Sequence, residues 1–221
     1  YRNARRVFKC AFIYVVSAGL VAGILTFAFA PVLVKEQPNA ILSLQILAPT
    51  IFLSGFLAIY RGYLQAYKTM IPTSISQIIE QIANAVVSVL AAYLMSRPFA
   101  PGTSEHAKYG AAGSAMGTGA GVLCGIIYIL IAYAGRRKEI METVESDVSS
   151  NVESYGKLFR QIVMIVTPII IAAFVYNITT TVDMKIFYNV LNSKNVDRVE
   201  SANLYGIFSG QYMVLINLPV S

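Results

Sequence analysis

Tryptophan is missing from the 221 residues, histidine occurs once and cysteine only twice. The lone histidine, His106, lies in a polar stretch, which argues against a histidine-based metal site within this chain. Cys10 and Cys124 fall in or beside apolar runs with no metal or redox spacing, so both read as small buried hydrophobes. Charge is scarce as well: charged residues make up 13% of the chain, against about a quarter in a typical soluble domain. A water-soluble fold would lack the surface it needs. No nucleotide motif and no paired nucleophile and base occur. The glycines between 110 and 125 have neither a following Lys-Ser/Thr nor a preceding strand, which excludes a phosphate loop. No catalytic residue, metal or cofactor is assigned.

What is present is apolar. Hydrophobic residues reach 56%, mean hydropathy is +0.62, and 14 Tyr with 11 Phe supply a membrane-interface belt without tryptophan. The excess of 17 Lys and Arg over 11 Asp and Glu is spread along the loops of a membrane protein, so no nucleic-acid partner is inferred. The chain reads as an all-α polytopic membrane protein with about six spanning segments, each near the roughly 20 residues a bilayer needs. It starts at Tyr1 with a basic run and stops just after an apolar one. The expectation is a fragment of a larger helical bundle, whose partners include membrane lipids and the missing transmembrane helices of the same protein.

The first segment, Cys10 to about Val34, follows Arg2, Arg5, Arg6 and Lys9 and is too long for a signal peptide. Pro31 and the stretch Lys35 to Asn39 end it. The second runs from about Ile41 to Tyr60, carries Pro49 and closes on Arg61, an interfacial anchor and a candidate contact for an anionic headgroup. A short amphipathic stretch through Lys68 leads to Pro72. The third, about Thr73 to Met95, is followed by an irregular loop with Pro98, Pro101 and Gly102. In the fourth, about Tyr109 to Ala134, Gly110, Gly113, Gly117, Gly121 and Gly125 form a small-residue ridge for close helix approach. Residues 136 to 161 are hydrophilic, with an acidic middle including Glu139, Glu142, Glu145, Asp147 and Glu153, and read as a helical linker at the membrane surface. The fifth, about Ile162 to Val182, contains Pro168 and ends in Asn177, Thr179, Thr180, Thr181 and Asp183. A polar loop with Asn192 to Ser201 precedes the sixth, from about Leu204 towards Pro219.

Alternating these segments puts eleven of the 17 basic residues on one side: the start, the Arg61/Lys68 turn and the long linker. The positive-inside rule makes that side cytoplasmic.

Inside the membrane, a carboxylate costs about +2.5 to +3.5 kcal/mol at the bilayer centre before pairing. Glu80 lies about seven residues into its segment, too deep to be an end residue. Gln77, Glu80, Gln81 and Asn84 follow a helical repeat and are expected on one face, lining a substrate or ion route or knitting helices together. Asn177 is a deeper candidate for the same lining, and Asp183 a shallower one beside Lys185.

The run from Arg61-Gly62-Tyr63-Leu64-Gln65-Ala66-Tyr67-Lys68 through Pro72 to Gln77-Ile78-Ile79-Glu80-Gln81 resembles the turn and fifth helix of the stage V sporulation protein B group. That group belongs to the polysaccharide-biosynthesis branch of the multidrug/oligosaccharidyl-lipid/polysaccharide exporter superfamily. Tyr205-Gly206-Ile207-Phe208-Ser209-Gly210-Gln211-Tyr212, ending in Asn217-Leu218-Pro219, is similar to its eighth helix. The resemblance implies a MATE-like flippase bundle. Residues 1–135 would be the last four helices of a first lobe, 136–160 the cytoplasmic linker and 161–221 the first two helices of the second. It implies a carrier, not an enzyme, moving an undecaprenyl-linked oligosaccharide or lipid II, a lipid-linked anionic sugar, across the bacterial cytoplasmic membrane for cell-wall or polysaccharide synthesis. The energy would come from a proton or sodium gradient or the membrane potential. Gln211 joins the pathway residues by the same resemblance; relatives of the lipid II flippase place arginines in the cavity, and this segment has none. A cation-coupled multidrug antiporter and a non-transporting scaffold for cell-wall synthesis are the competing readings.

Overall fold

The computed structural model describes residues 2–34, 37–67, 69–145, 153–213 and 215. Lys35, Glu36, Lys68, Asp147 and the run Asn217-Leu218-Pro219 lie outside them. The described residues are almost wholly helical, as an apolar environment requires of a chain that must satisfy its own backbone. The helices are α1 (Arg2–Leu33), α2 (Ile41–Ala66, preceded by a 3₁₀ turn Pro38–Ala40), α3 (Ile71–Ser96), α4 (Ser104–Glu145), α5 (Tyr155–Ser193) and α6 (Arg198–Ile207). A π-helical turn, Phe208–Tyr212, follows α6.

Five of these, α1 to α5, are long and apolar enough to cross a membrane, where six were expected. The sixth expected segment begins in α6, whose ten residues include Arg198, Glu200 and Asn203, and continues through the π-helical turn; Val214 and residues 216–219 of it lie outside the described residues. Four boundaries also move. Helix α2 does not close on Arg61 but continues to Ala66, because Tyr63 and Leu64 are buried and hold the next turn in place. It stops where Thr69 Oγ1 donates to Leu64 O at 2.9 Å and Pro72 enters the first turn of α3. The described part of the expected linker is not a separate element. Residues 136–145 prolong α4 and residues from Tyr155 open α5, which itself runs to Ser193. At 1.5 Å per residue, α4 is roughly 60 Å long, about twice the hydrocarbon thickness, so part of it stands in water.

The chain divides into two compact units, Tyr1–Ile162 and Val163–Ser221. In the first, α3 and α4 form an antiparallel hairpin and α2 packs on α4 and α1, scarcely touching α3. The glycine ridge of α4 makes the hairpin close. A Cβ on Gly121 would stand 2.6 Å from Glu80 O and 3.0 Å from Asn84 Cβ, Gly117 faces the backbone of Ser88, and Gly113 that of Ala91. Lipid offers no hydrophobic drive for helix pairing, so such surface-to-surface fit has to supply it. On the other side, Gly19 and Gly23 of α1 abut Phe52 and Ala48 of α2.

Leu57, Leu64 and Ile129 are fully buried at the centre of the α2–α4 contact. Around them, where α1 begins and α2 ends, the rings of Phe8, Phe12, Phe56, Tyr60, Tyr63 and Tyr133 pack edge to face or tilted, with Phe8 and Tyr63 centroids 4.3 Å apart. The start of α5 is fastened to the start of α1. Arg6 donates to Glu153 O at 2.7 Å and lies 4.9 Å over the Tyr155 ring, while Asn3 Oδ1 accepts from Glu153 N. At the opposite end, His106 Nδ1 lies 3.1 Å from Ser96 O and 3.2 Å from Phe99 O, closing the α3–α4 turn.

In the second unit, α5 ends in a left-handed Asn195 (φ 56), with Val196 N donating to Leu191 O, and Asp197 caps α6 through Val199 N. Phe187, Tyr188, Tyr205 and Phe208 join α5 to α6 and the π-helical turn.

Candidate functional site

One turn before its end, α2 carries Arg61, whose guanidinium reaches past Gly125 of α4 to α3. Its Nη2 donates to Glu80 Oε2 at 2.7 Å and to Ser76 Oγ at 2.8 Å, and its Nε to Ser76 Oγ at 3.2 Å. Ser76, fully buried, donates in turn to Gly125 O at 3.3 Å. The two charged side chains keep 15% and 21% of their exposure, so they are largely desolvated without being sealed. Cost decides how such a pair is read. An unpartnered carboxylate at that depth is penalised by several kcal/mol, and a guanidinium at the same place meets it with a charge-assisted hydrogen bond. Arg61, expected as an interfacial anchor, is the ion-pair partner of Glu80.

The expected polar face of α3 divides in two. Glu80 and Asn84, with Ser76 and Ser88, follow a four-residue spacing that turns them towards the glycines of α4. Ser88 Oγ lies 2.9 Å from Asn84 Oδ1 and 3.0 Å from Ser114 O. Gln77 and Gln81 flank that row and are exposed. Thr73 Oγ1, a turn before Ser76, is buried with no hydrogen-bond partner among the described residues. Ser76, Ser88 and Gly125 were not among the expected site residues. Their signal in the sequence was the matched spacing of 76, 80, 84 and 88 on one helix with 113, 117, 121 and 125 on the next.

In the second unit, Asn177 and Asp183 are exposed on α5. Asn177 Nδ2 donates to Ala173 O at 2.7 Å, and Thr179, Thr180 and Thr181 likewise fold back on carbonyls four residues earlier. Hydroxyls and amides satisfied by their own helix are cheap to place in lipid, so this polar end needs no neighbour to be stable. Gln211 is exposed in the π-helical turn.

Five long apolar helices, with glycine-to-backbone packing in the first unit and an ion pair held among α2, α3 and α4, define an all-α, multi-pass membrane protein. The chain belongs to the polysaccharide biosynthesis protein family, whose family model matches residues 1–221. It is 23% identical to Stage V sporulation protein B of Bacillus subtilis (strain 168) over 194 residues, 86% of this chain and 36% of that relative. It is 18% identical to Lipid II flippase MurJ of the same organism over 233 residues, 100% of this chain and 42% of that relative. The chain thus spans well under half the length of either curated relative. No solved structure matches it.

Proposed function

We propose that this chain is part of a flippase that carries an undecaprenyl-linked oligosaccharide or lipid II across the bacterial cytoplasmic membrane for cell-wall or polysaccharide synthesis. The observation that carries the reading is the Arg61–Glu80 pair, an ionic group left partly exposed in a bundle that is otherwise apolar and glycine-packed. A purely structural tie would be served as well by apolar packing, since a buried ion pair is weak evidence for stability alone. Family membership and the likeness to a lipid II flippase supply the class of cargo. In this reading Gln77, Glu80, Gln81 and Asn84 in the first unit, and Asn177, Asp183 and Gln211 in the second, are pathway residues. The basic end of α1, the end of α2 and the α4–α5 connection face the cytoplasm. No catalytic chemistry is required; a proton or sodium gradient or the membrane potential drives the cycle.

The test is Glu80→Gln in the full-length protein, which keeps the size and an acceptor but removes the charge. Reconstituted in liposomes, the variant is expected to stay folded and to move fluorescent lipid-linked sugar between leaflets about tenfold more slowly, the effect of roughly 1.4 kcal/mol on the barrier. Translocation at the unaltered rate would remove Glu80 from the pathway.

A further inference from the structure

The charge pair and the two exposed glutamines beside it differ from a phosphate site in a way that says which part of a cargo they meet. Arg61 spends its Nε and Nη2 edge on Ser76 and Glu80, and its charge is cancelled by the carboxylate 2.7 Å away. A pyrophosphate approaching here would face no net positive charge and would have to compete with Glu80 for the guanidinium. Recognition of that group relies on an unopposed Arg or Lys. The neighbouring chemistry is of another kind. Gln77 and Gln81, four residues apart on α3, are exposed and make no hydrogen bond to any described residue. Each offers a carbonyl acceptor and two amide donors. Both would be costly against hydrocarbon, so their flank is suited to water, a polar ligand or polar groups of the protein's remaining helices. Beside them stands the partly exposed Glu80, whose Oε1 is an acceptor not used by Arg61. Neutral amides, one acceptor oxygen and a compensated charge are the complement of hydroxyl and acetamido groups.

We infer that Gln77, Gln81 and the Arg61-held Glu80 bind the uncharged sugar hydroxyls and N-acetyl groups of the cargo, and that its pyrophosphate is held elsewhere. This rests on the flippase reading. Arg61 and Ser76 act as positioning residues that fix the carboxylate at the site's edge.

The experiment uses the full-length protein in nanodiscs and two probes: undecaprenyl pyrophosphate, and the same lipid carrying an N-acetylated disaccharide. Binding of each is measured for the wild type and for Gln77→Leu, Gln81→Leu and the double variant. The double variant is expected to lose about tenfold in affinity for the sugar-bearing lipid, two lost hydrogen bonds' worth, and each single variant less, while affinity for the sugar-free lipid stays the same. Retained binding of the sugar-free lipid also shows that the variants are folded. An equal loss for both lipids in the single and double variants, or no loss for the sugar-bearing one, overturns the inference and leaves the flippase reading standing. A wild type that binds neither lipid overturns both.

Discussion

Replacing Gly121 by alanine tests whether the α3–α4 hairpin owes its stability to close backbone approach. The added Cβ would lie 2.6 Å from Glu80 O, where a relaxed carbon–oxygen contact needs about 3.3 Å, so α4 must retreat by roughly 0.7 Å or tilt. A gap of about 0.5–1 Å forfeits a quarter to a half of each dispersion contact along the seam, and overpacking of this kind costs about 1–3 kcal/mol. Alanine returns about 1 kcal/mol through its better helix propensity. The net expectation is a destabilisation of up to about 2 kcal/mol, read as an earlier midpoint in denaturing-detergent titration of the protein in mixed micelles. Gly62→Ala is the control. That glycine is in helix α2 with no atom within 4 Å of a built Cβ, so the propensity gain stands alone and the variant should be stabilised by up to about 1 kcal/mol. A Gly121→Ala protein stabilised as much as Gly62→Ala would refute the packing argument.

Two further outcomes are expected. Glu80→Ala leaves the guanidinium with Ser76 alone and should cost about 2–4 kcal/mol of stability, the lower part of the range for a broken buried pair because both side chains keep some exposure. Arg61→Met with Glu80→Leu should recover most of it; single-variant costs that merely add in the double variant would show that the two groups are uncoupled. Near the start of α1, Cys10 is 8% exposed with its Sγ 3.9 Å from Tyr155 O, while the ring of Tyr155 lies under Arg6. Tyr155→Ala removes a cation–π contact of about 1 kcal/mol and should speed maleimide labelling of Cys10 about fivefold, with the half-buried Cys124 as internal reference; unchanged labelling would mean that the start of α5 does not cover this cysteine.

The spanning helices were legible because apolar length is a direct demand of the bilayer, and the ridge of α4 because glycine at four-residue steps has few other uses. Helix ends were less so. Closing the second segment at Tyr60 made Arg61 an end residue, since a charge after an apolar run usually marks the interface. The burial of Leu64 and Tyr63, which carries the helix onward, depends on α1 and α4. The same limit applies to α3. Spacing places Gln77, Glu80, Gln81 and Asn84 on one broad face but does not say where the neighbouring helix divides it. That division follows from the position of α4, which turns Glu80 and Asn84 inward and leaves the glutamines at the edge. The partnership of residues 61 and 80 was hidden for a related reason: α2 and α3 scarcely touch, and one long side chain makes the connection.

Gly125 gives that connection its route. A methyl group there would already come within 3.1 Å of Leu57, 3.4 Å of Arg61 Nη2 and 3.5 Å of Ser76 Oγ, so a longer side chain would occupy the passage the guanidinium takes. Positions 61, 76, 80 and 125 are therefore coupled through space rather than four independent sites. A larger residue at 125 would strand a carboxylate in the membrane unless both charges were removed with it.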